Sequence, residues 1–273
     1  MKRVRPIHAL ISIFLTVFSA VMLYPVVWMI LTSFKSNAEI RVNRTGFWPE
    51  VWTLEGYRSA FEYAPIGRWF LNSVFVTVVL TLIVILTGTL IGYVFARYEF
   101  RGKKLLFLLL LATMMIPGQV TMIPRYLMVQ KLHLFDTLGA LIIPHLVGPF
   151  SVFLSRQFIS EIPTDLFDAA RIDGSGPLGV YWHVVLPNIR PAIGAMGIFS
   201  AMGTWNDYLN PLIMLNSKEW MTLPLGLVIF DTGRQQDLSA TMAVASIIIV
   251  PMIVILLIFQ KYLIKGITMS GMK

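Results

Sequence analysis

The sequence predicts an all-α polytopic membrane protein with six transmembrane helices. Three observations predict it: 56% of the 273 residues are hydrophobic and only 13% charged, mean hydropathy is +0.74, and apolar stretches of near-spanning length recur along the chain. Soluble domains are about half apolar and a quarter charged. Here too little polar chain remains to cover the apolar stretches, so they are not the buried helices of a soluble protein. The formal net charge of +8 lies between apolar runs rather than on a soluble surface, which argues against nucleic acid as a partner and makes the charge a matter of topology. The absence of cysteine excludes disulfides, thiolate metal sites and a cysteine nucleophile.

Crossing about 30 Å of hydrocarbon takes roughly 20 helical residues. The first candidate, Leu10 to Leu31, follows basic residues as a signal peptide would, but its 22 residues exceed an h-region and no A-x-A site adjoins it. It reads as a retained span. Ser73 to Ala96, Leu105 to Ile123, Leu138 to Leu154, Pro191 to Leu215 and Ala240 to Ile258 follow. The fourth is short and holds Pro144, His145, Gly148 and Pro149, so a bend or break is expected there. Residues 1–273 are expected to form a single membrane domain with no soluble appendage. Between the first two spans, Lys35 to Arg68 carries the aromatics of FWPEVWTLEGYRSAFEYAPIGRWF, which suit the headgroup level, and a short amphipathic helix is expected there.

Six spans put both termini on one side. With the N-terminus inside, the inner segments hold 13 of the 22 basic residues and 5 of the 14 acids, a net +8 inside against zero outside. The KRVR and RYEFRGKK blocks carry most of this bias, and the positive-inside rule makes both termini cytoplasmic. The longest cytoplasmic loop is then about 156–190, between the fourth and fifth spans.

That loop contains DAARIDGSGPLGVYWHVVLP, Asp168 to Pro187. Pro163 stops the incoming helix, and Thr164 or Asp165 can cap a new one. Asp165 and Asp168 sit at its positive end, and Gly174 ends it after two or three turns. Leu166, Phe167, Ala169 and Ala170 form a small apolar surface, and the alanines let another backbone approach closely. Tyr181, Trp182, Val184 and Val185 make a second apolar face. From the residues alone, such a helix could simply rest on the inner leaflet.

The pattern resembles the EAA motif of permease subunits in ATP-binding-cassette importers: an acid-Ala-Ala triplet, a glycine, then a hydrophobic-x-Leu-Pro ending. Asp168, Ala169, Ala170, Gly174, Val184, Leu186 and Pro187 match it. Asp168 replaces the commoner glutamate, Ser175 an alanine and Val184 an isoleucine. MMIPGQVTMIPRYLMVQKLHLFDT, WNDYLNPLIML and the tail QKYLIKGITMSGMK extend the resemblance, which is strongest to the carbohydrate-importer branch and its subunits similar to the maltose permease G component. Arg125 falls where that branch is expected to be apolar. The resemblance implies a type I importer fold in a bacterial cytoplasmic (inner) membrane, and a heterodimer with a second permease subunit. It also implies two cytoplasmic ATPase subunits that bind the ATP and Mg, an extracytoplasmic solute-binding protein and a carbohydrate substrate. The short helix becomes a coupling helix, with Asp168, Ala169, Ala170, Arg171, Asp173, Gly174, Leu186 and Pro187 expected to meet the ATPase.

No G-x-x-x-x-G-K-[ST] occurs, so nucleotide must be bound by a partner and no cofactor is expected in this chain. His8, His133, His145 and His183 lack metal-ligand spacing, and Asp165, Asp168 and Asp173 read as helix-end acids rather than catalytic carboxylates. Gly88 and Gly92 form a G-x-x-x-G that suits internal packing or dimerisation equally. Trp205, Asn206, Asp207 and Tyr208 are the most polar cluster at membrane depth, suited either to lining a sugar path or to an outer aromatic belt. A secondary transporter would need paired intramembrane charges and a membrane enzyme clustered His or acids; only Asp207 stands out for the first, and nothing for the second.

Overall fold

The computed structural model describes residues 6–233 and 237–270. Their helices are α1 (Pro6–Thr32), α2 (Asn37–Val42), α3 (Glu55–Tyr63), α4 (Ile66–Arg97), α5 (Lys103–Met114), α6 (Met122–Lys131), α7 (Gly139–Ile142) and α8 (Pro149–Ser160). The second half adds α9 (Thr164–Ile172), α10 (Pro177–Val180), α11 (Leu186–Asn188), α12 (Arg190–Trp205), α13 (Leu209–Met214), α14 (Leu223–Gly233) and α15 (Leu238–Ser270). No strand occurs among the described residues. Lys2, Arg3 and Arg5 of the basic N-terminal block, and Lys273 at the end of the tail, lie outside them.

Among the described residues, three helical stretches are long and apolar enough to cross a membrane: Leu10–Thr32, Ile66–Arg97 and Leu238–Leu257. Three further spans arise if each bent helix pair counts once, which gives six. The anticipated bend in the fourth span is present, 43° between Gly139–His145 and Pro149–Ser160. Two further spans, for which no break was expected, are also broken. Helix α5 stops at Met114, and the chain turns 102° into Gly118–Lys131 because Pro117 has no N–H and drives Ile116 out of helical geometry. The expected span 191–215 divides at Asn206–Tyr208: α12 ends at Trp205, and the Asp207 carboxylate accepts from the Asn210 N–H (3.2 Å) and amide (2.7 Å) to start α13.

The described chain forms two compact units. In the first, residues 1–67 with 226–251, the outer segment is folded onto the start of α15. Asp237 accepts from the Ala240 N–H (3.0 Å), the Asn37 amide (2.8 Å) and the Ser59 hydroxyl (2.6 Å). Lys35, 1% exposed, donates to the Gly46 carbonyl at 2.5 Å and lies 3.7 Å from Glu39. The short helix α3 is held close here because a Cβ on Gly56 would stand 2.4 Å from the Ser239 hydroxyl.

In the second unit, residues 68–225 with 252–273, α4 packs against α8 through small residues on both helices. A Cβ on Gly88 would lie 2.6 Å from Ser151 Cβ, and one on Gly92 2.6 Å from Ser155 Cβ. The G-x-x-x-G therefore serves internal packing, where dispersion between close backbones replaces the hydrophobic drive that lipid removes. At one end of this unit Arg97, at the end of α4, donates to the Ile159 carbonyl near the end of α8, and Arg156 of α8 stacks on Phe107 of α5. At the other end, Asp136 accepts from the N–H groups of Asn216 and Ser217, both at 2.8 Å, and from the Ser217 hydroxyl. Trp69 and Asn72 reach the carbonyls of Lys218, Glu219 and Met221 at the same level. Contacts thus join segments that alternate along the chain, as an even succession of crossings requires.

Candidate functional site

Helix α9 is a two-faced element. Pro163 occupies its cap position and no side chain caps the N-terminus, so neither Thr164 nor Asp165 makes the expected bond. Pro163 instead fixes an extended entry, and Asp165 contributes its charge to the first turn. Gly174, at φ +80°, ends the helix. Its N–H donates to the Arg171 carbonyl (3.0 Å) and the Ser175 N–H to the Ala170 carbonyl (2.9 Å), which is a Schellman ending that a left-handed residue permits.

One face of α9 is anchored. Phe167 is 3% exposed and packs with Tyr93, Ile159, Ile162, Tyr181 and Val185, a burial that stabilises by about 1.5–3 kcal/mol. The Arg97 guanidinium stacks over the Phe167 ring at 3.7 Å. Its Nη2 donates to the carbonyls of Ile159, at 3.0 Å, and Ile162, where α8 ends and the chain enters α9. Arg97 therefore ties the end of α4 to the entry of the short helix and to its buried face. The other face is free: Leu166, Asp168, Ala169, Arg171 and Asp173 are exposed, and Ile172 is 86% exposed. Asp168 and Arg171 pair at 3.3 Å along this face.

The segment after Gly174 continues the anchor. Tyr181 and Val185 are buried, and the Tyr181 hydroxyl meets the Thr89 hydroxyl at 2.8 Å. Trp182 faces out at 56% exposure, so the expected second apolar face is divided between core and surface. A π-helical turn at Tyr181–Val185 precedes Leu186 and Pro187, where proline cannot supply the next N–H of the ladder. The chain then bends 79° between Pro177–Asn188 and α12.

The other sequence cluster is dispersed. Trp205 is 3% exposed and meets Phe70 edge to face at 5.9 Å. Asn206 is exposed and donates to the Met202 carbonyl of its own helix at 2.9 Å, and Tyr208 points outward. Asp207 alone lines a cavity of about 150 Å³, with Ser73, His145, Thr204 and Thr222 among the other walls. His145 Nδ1 lies 3.1 Å from the Leu141 carbonyl and Nε2 3.0 Å from Arg125. A carbonyl only accepts and an arginine only donates, so the ring is neutral with its proton on Nδ1. This contact also gives Arg125, anomalous in the sequence pattern, a polar partner.

Residues 88–269 match the family model described as "Binding-protein-dependent transport system inner membrane component". The chain belongs to this family. The permease is 36% identical, over 96% of its own length and 95% of the relative's, to the arabinooligosaccharides transport system permease protein AraQ of Bacillus subtilis (strain 168). It is 32% identical to the diacetylchitobiose uptake system permease protein NgcG of Streptomyces coelicolor, over 93% of this chain and 84% of that one. A chain from the crystal structure of a bacterial ABC transporter involved in the import of the acidic polysaccharide alginate shares its fold. The TM-score is 0.81 at 24% identity, over 94% of this chain and 96% of that chain. The permease is thus an integral inner-membrane subunit of an ABC importer with the type I fold.

Sequence patterning located α9 but missed what holds it. Arg97 reads as one more inner-side charge, because a carbonyl pair two spans away leaves no mark on sequence spacing. Asp136 was equally silent: its carboxyl is held below the usual range, with burial, which acts upward, outweighed by hydrogen bonds from the Ser217 hydroxyl and the Asn216 and Ser217 amides. Asp136 stands at φ +60°, a left-handed conformation that Asp tolerates in a tight loop.

Proposed function

We propose that this permease imports a sugar or oligosaccharide and receives ATP-driven motion through the segment Asp168–Pro187. The observation that carries the coupling reading is the division of α9 into an anchored face, Phe167 under Arg97, and a free face of Asp168, Ala169, Arg171, Ile172 and Asp173. A helix fixed on one side and open on the other transmits displacement from a docked ATPase to α4, α8 and α12. Relatives whose names specify arabinooligosaccharides and diacetylchitobiose support a carbohydrate substrate.

In this reading the chain pairs with a second, similar permease subunit to enclose the path, and two cytoplasmic ATPase subunits bind ATP and Mg. An extracytoplasmic binding protein delivers solute, and both termini of the permease are cytoplasmic. Closure of the ATPases draws the two coupling helices together and opens the path outward; hydrolysis resets it. Leu186 and Pro187 set the bend that links the handle to α12. Asp207, beside the cavity, is the member of the Trp205–Tyr208 cluster placed to meet a hydroxylated solute, while Trp205 supports the wall behind it.

The test is retention of the ATPase by the permease complex in mild detergent, with Gly174→Pro as the perturbation. Proline cannot adopt φ +80° and removes the N–H that closes the helix. Retention by the wild type and its loss in a membrane-inserted variant supports a docking handle. Transport by the wild-type chain with no ATPase retained would refute the reading.

A further inference from the structure

Where α4 ends and α5 begins, a pocket of about 450 Å³ is lined by Phe95, Glu99, Lys103, Lys104, Phe107, Leu108, Leu111 and Arg156. The lining mixes charged side chains with apolar ones. Lys103 is neutralised by Glu99 at 2.8 Å, but Lys104 forms no hydrogen bond or ion pair among the described residues. The Arg156 guanidinium lies over the Phe107 ring at 3.9 Å, and its buried Nε has no hydrogen-bond partner. A buried donor left unsatisfied costs stability.

The backbone adds to the same need. Helix α5 starts at Gly102 with no side-chain cap and no acid in its first turn; two lysines stand there instead, at the end of the dipole that repels cations. An anion in the pocket relieves the lysine–dipole repulsion, and Arg156, which lines the same pocket, adds a further cation. Phe95, Phe107, Leu108 and Leu111 supply the apolar part of the lining, and Leu105, Leu106, Leu108 and Leu109 are exposed along α5, no residue of which is buried.

We infer that this pocket binds the phosphate of an anionic glycerophospholipid, with Lys104 and Arg156 on the headgroup and an acyl chain along Phe107, Leu108 and Leu111. A lining that joins cations to apolar side chains fits a lipid better than it fits a free phosphate or an acidic protein segment, neither of which would use the apolar part. Occupancy at the root of α5 and α8 would brace the 97–104 turn beside Arg97. The inference is independent of which solute is carried.

The experiment is native mass spectrometry of the intact transporter complex, titrated with phosphatidylglycerol and, separately, phosphatidylcholine. The wild type is expected to take phosphatidylglycerol preferentially. Lys104→Gln lowers that affinity about fivefold and the double variant with Arg156→Gln about 25-fold, at one increment per cation. Lys104 is exposed, so its single variant reads the site even if Arg156→Gln disturbs packing on Phe107. Equal binding of the two lipids, or unchanged phosphatidylglycerol affinity in Lys104→Gln, overturns the inference. So does displacement of the lipid by equimolar inorganic phosphate, which would identify a free-phosphate site, or loss of the ATPase from Lys104→Gln with lipid binding intact, which would identify a protein contact.

Discussion

Arg97→Ala probes the anchor of α9 directly. The substitution removes a charge-assisted hydrogen bond donor from the Ile159 and Ile162 carbonyls and a stacked guanidinium from Phe167. One nitrogen serves both carbonyls, so their loss counts as one charge-assisted interaction of about 2–3 kcal/mol. The cation–π contact adds about 1 kcal/mol. If half of the resulting loss of about 3–4 kcal/mol appears as displacement of α9 rather than as global instability, ATPase affinity falls about 10- to 30-fold. The assay is binding of purified ATPase to permease-containing vesicles, with thermal denaturation of the same preparations in parallel. Arg97→Lys keeps the charge but not the planar stack or the fork, and is expected to fall between wild type and alanine. Unchanged ATPase affinity and an unchanged thermal midpoint in Arg97→Ala would refute the anchor.

Further expectations follow from other contacts. Gly92→Val forces α4 away from Ser155, because even its Cβ would lie 2.6 Å from Ser155 Cβ; overpacking of this kind costs about 1–3 kcal/mol and should lower the yield of folded complex in fluorescence-detected gel filtration. Asp207→Ala removes both the start of α13 and a polar cavity wall, so uptake drops while the complex assembles; Asn206→Ala, whose amide serves only its own helix, leaves uptake unchanged. Equal losses from both would show that the cavity is not the distinguishing feature. Asp136 has a depressed carboxyl, so its contribution is present above the ordinary carboxylate value and is lost as pH falls through the lower folded value. Hydrogen exchange at Asn216 and Ser217, corrected for intrinsic rates, should stay protected from neutral pH down past the ordinary carboxylate range and rise only below it; Asp136→Asn should remove protection at every pH.

The apolar stretches, the inner-side charge bias and the acid-Ala-Ala-to-Leu-Pro pattern identified an importer permease before any contact was known, because all three are local or compositional. Pro144 and Pro149 likewise announced a bent fourth span through the missing N–H of proline. The turn at Pro117 and the break at Asn206–Tyr208 were not read correctly, since hydropathy averages across a corner that a single residue creates. Residue type grouped Leu166, Phe167, Ala169 and Ala170 on one apolar surface and Tyr181, Trp182, Val184 and Val185 on another, yet Phe167 and Tyr181 are buried in the core while Leu166, Ala169 and Trp182 are exposed. What the sequence determined by itself was membrane residence, family and the position of the short helix α9, all encoded in residue type and short spacing. What only the tertiary structure decided was which charges are tied down: Arg97 on Phe167, Asp136 on Ser217 and Arg125 on His145 join residues distant along the chain, and which polar group finds which carbonyl is fixed only when the helices pack.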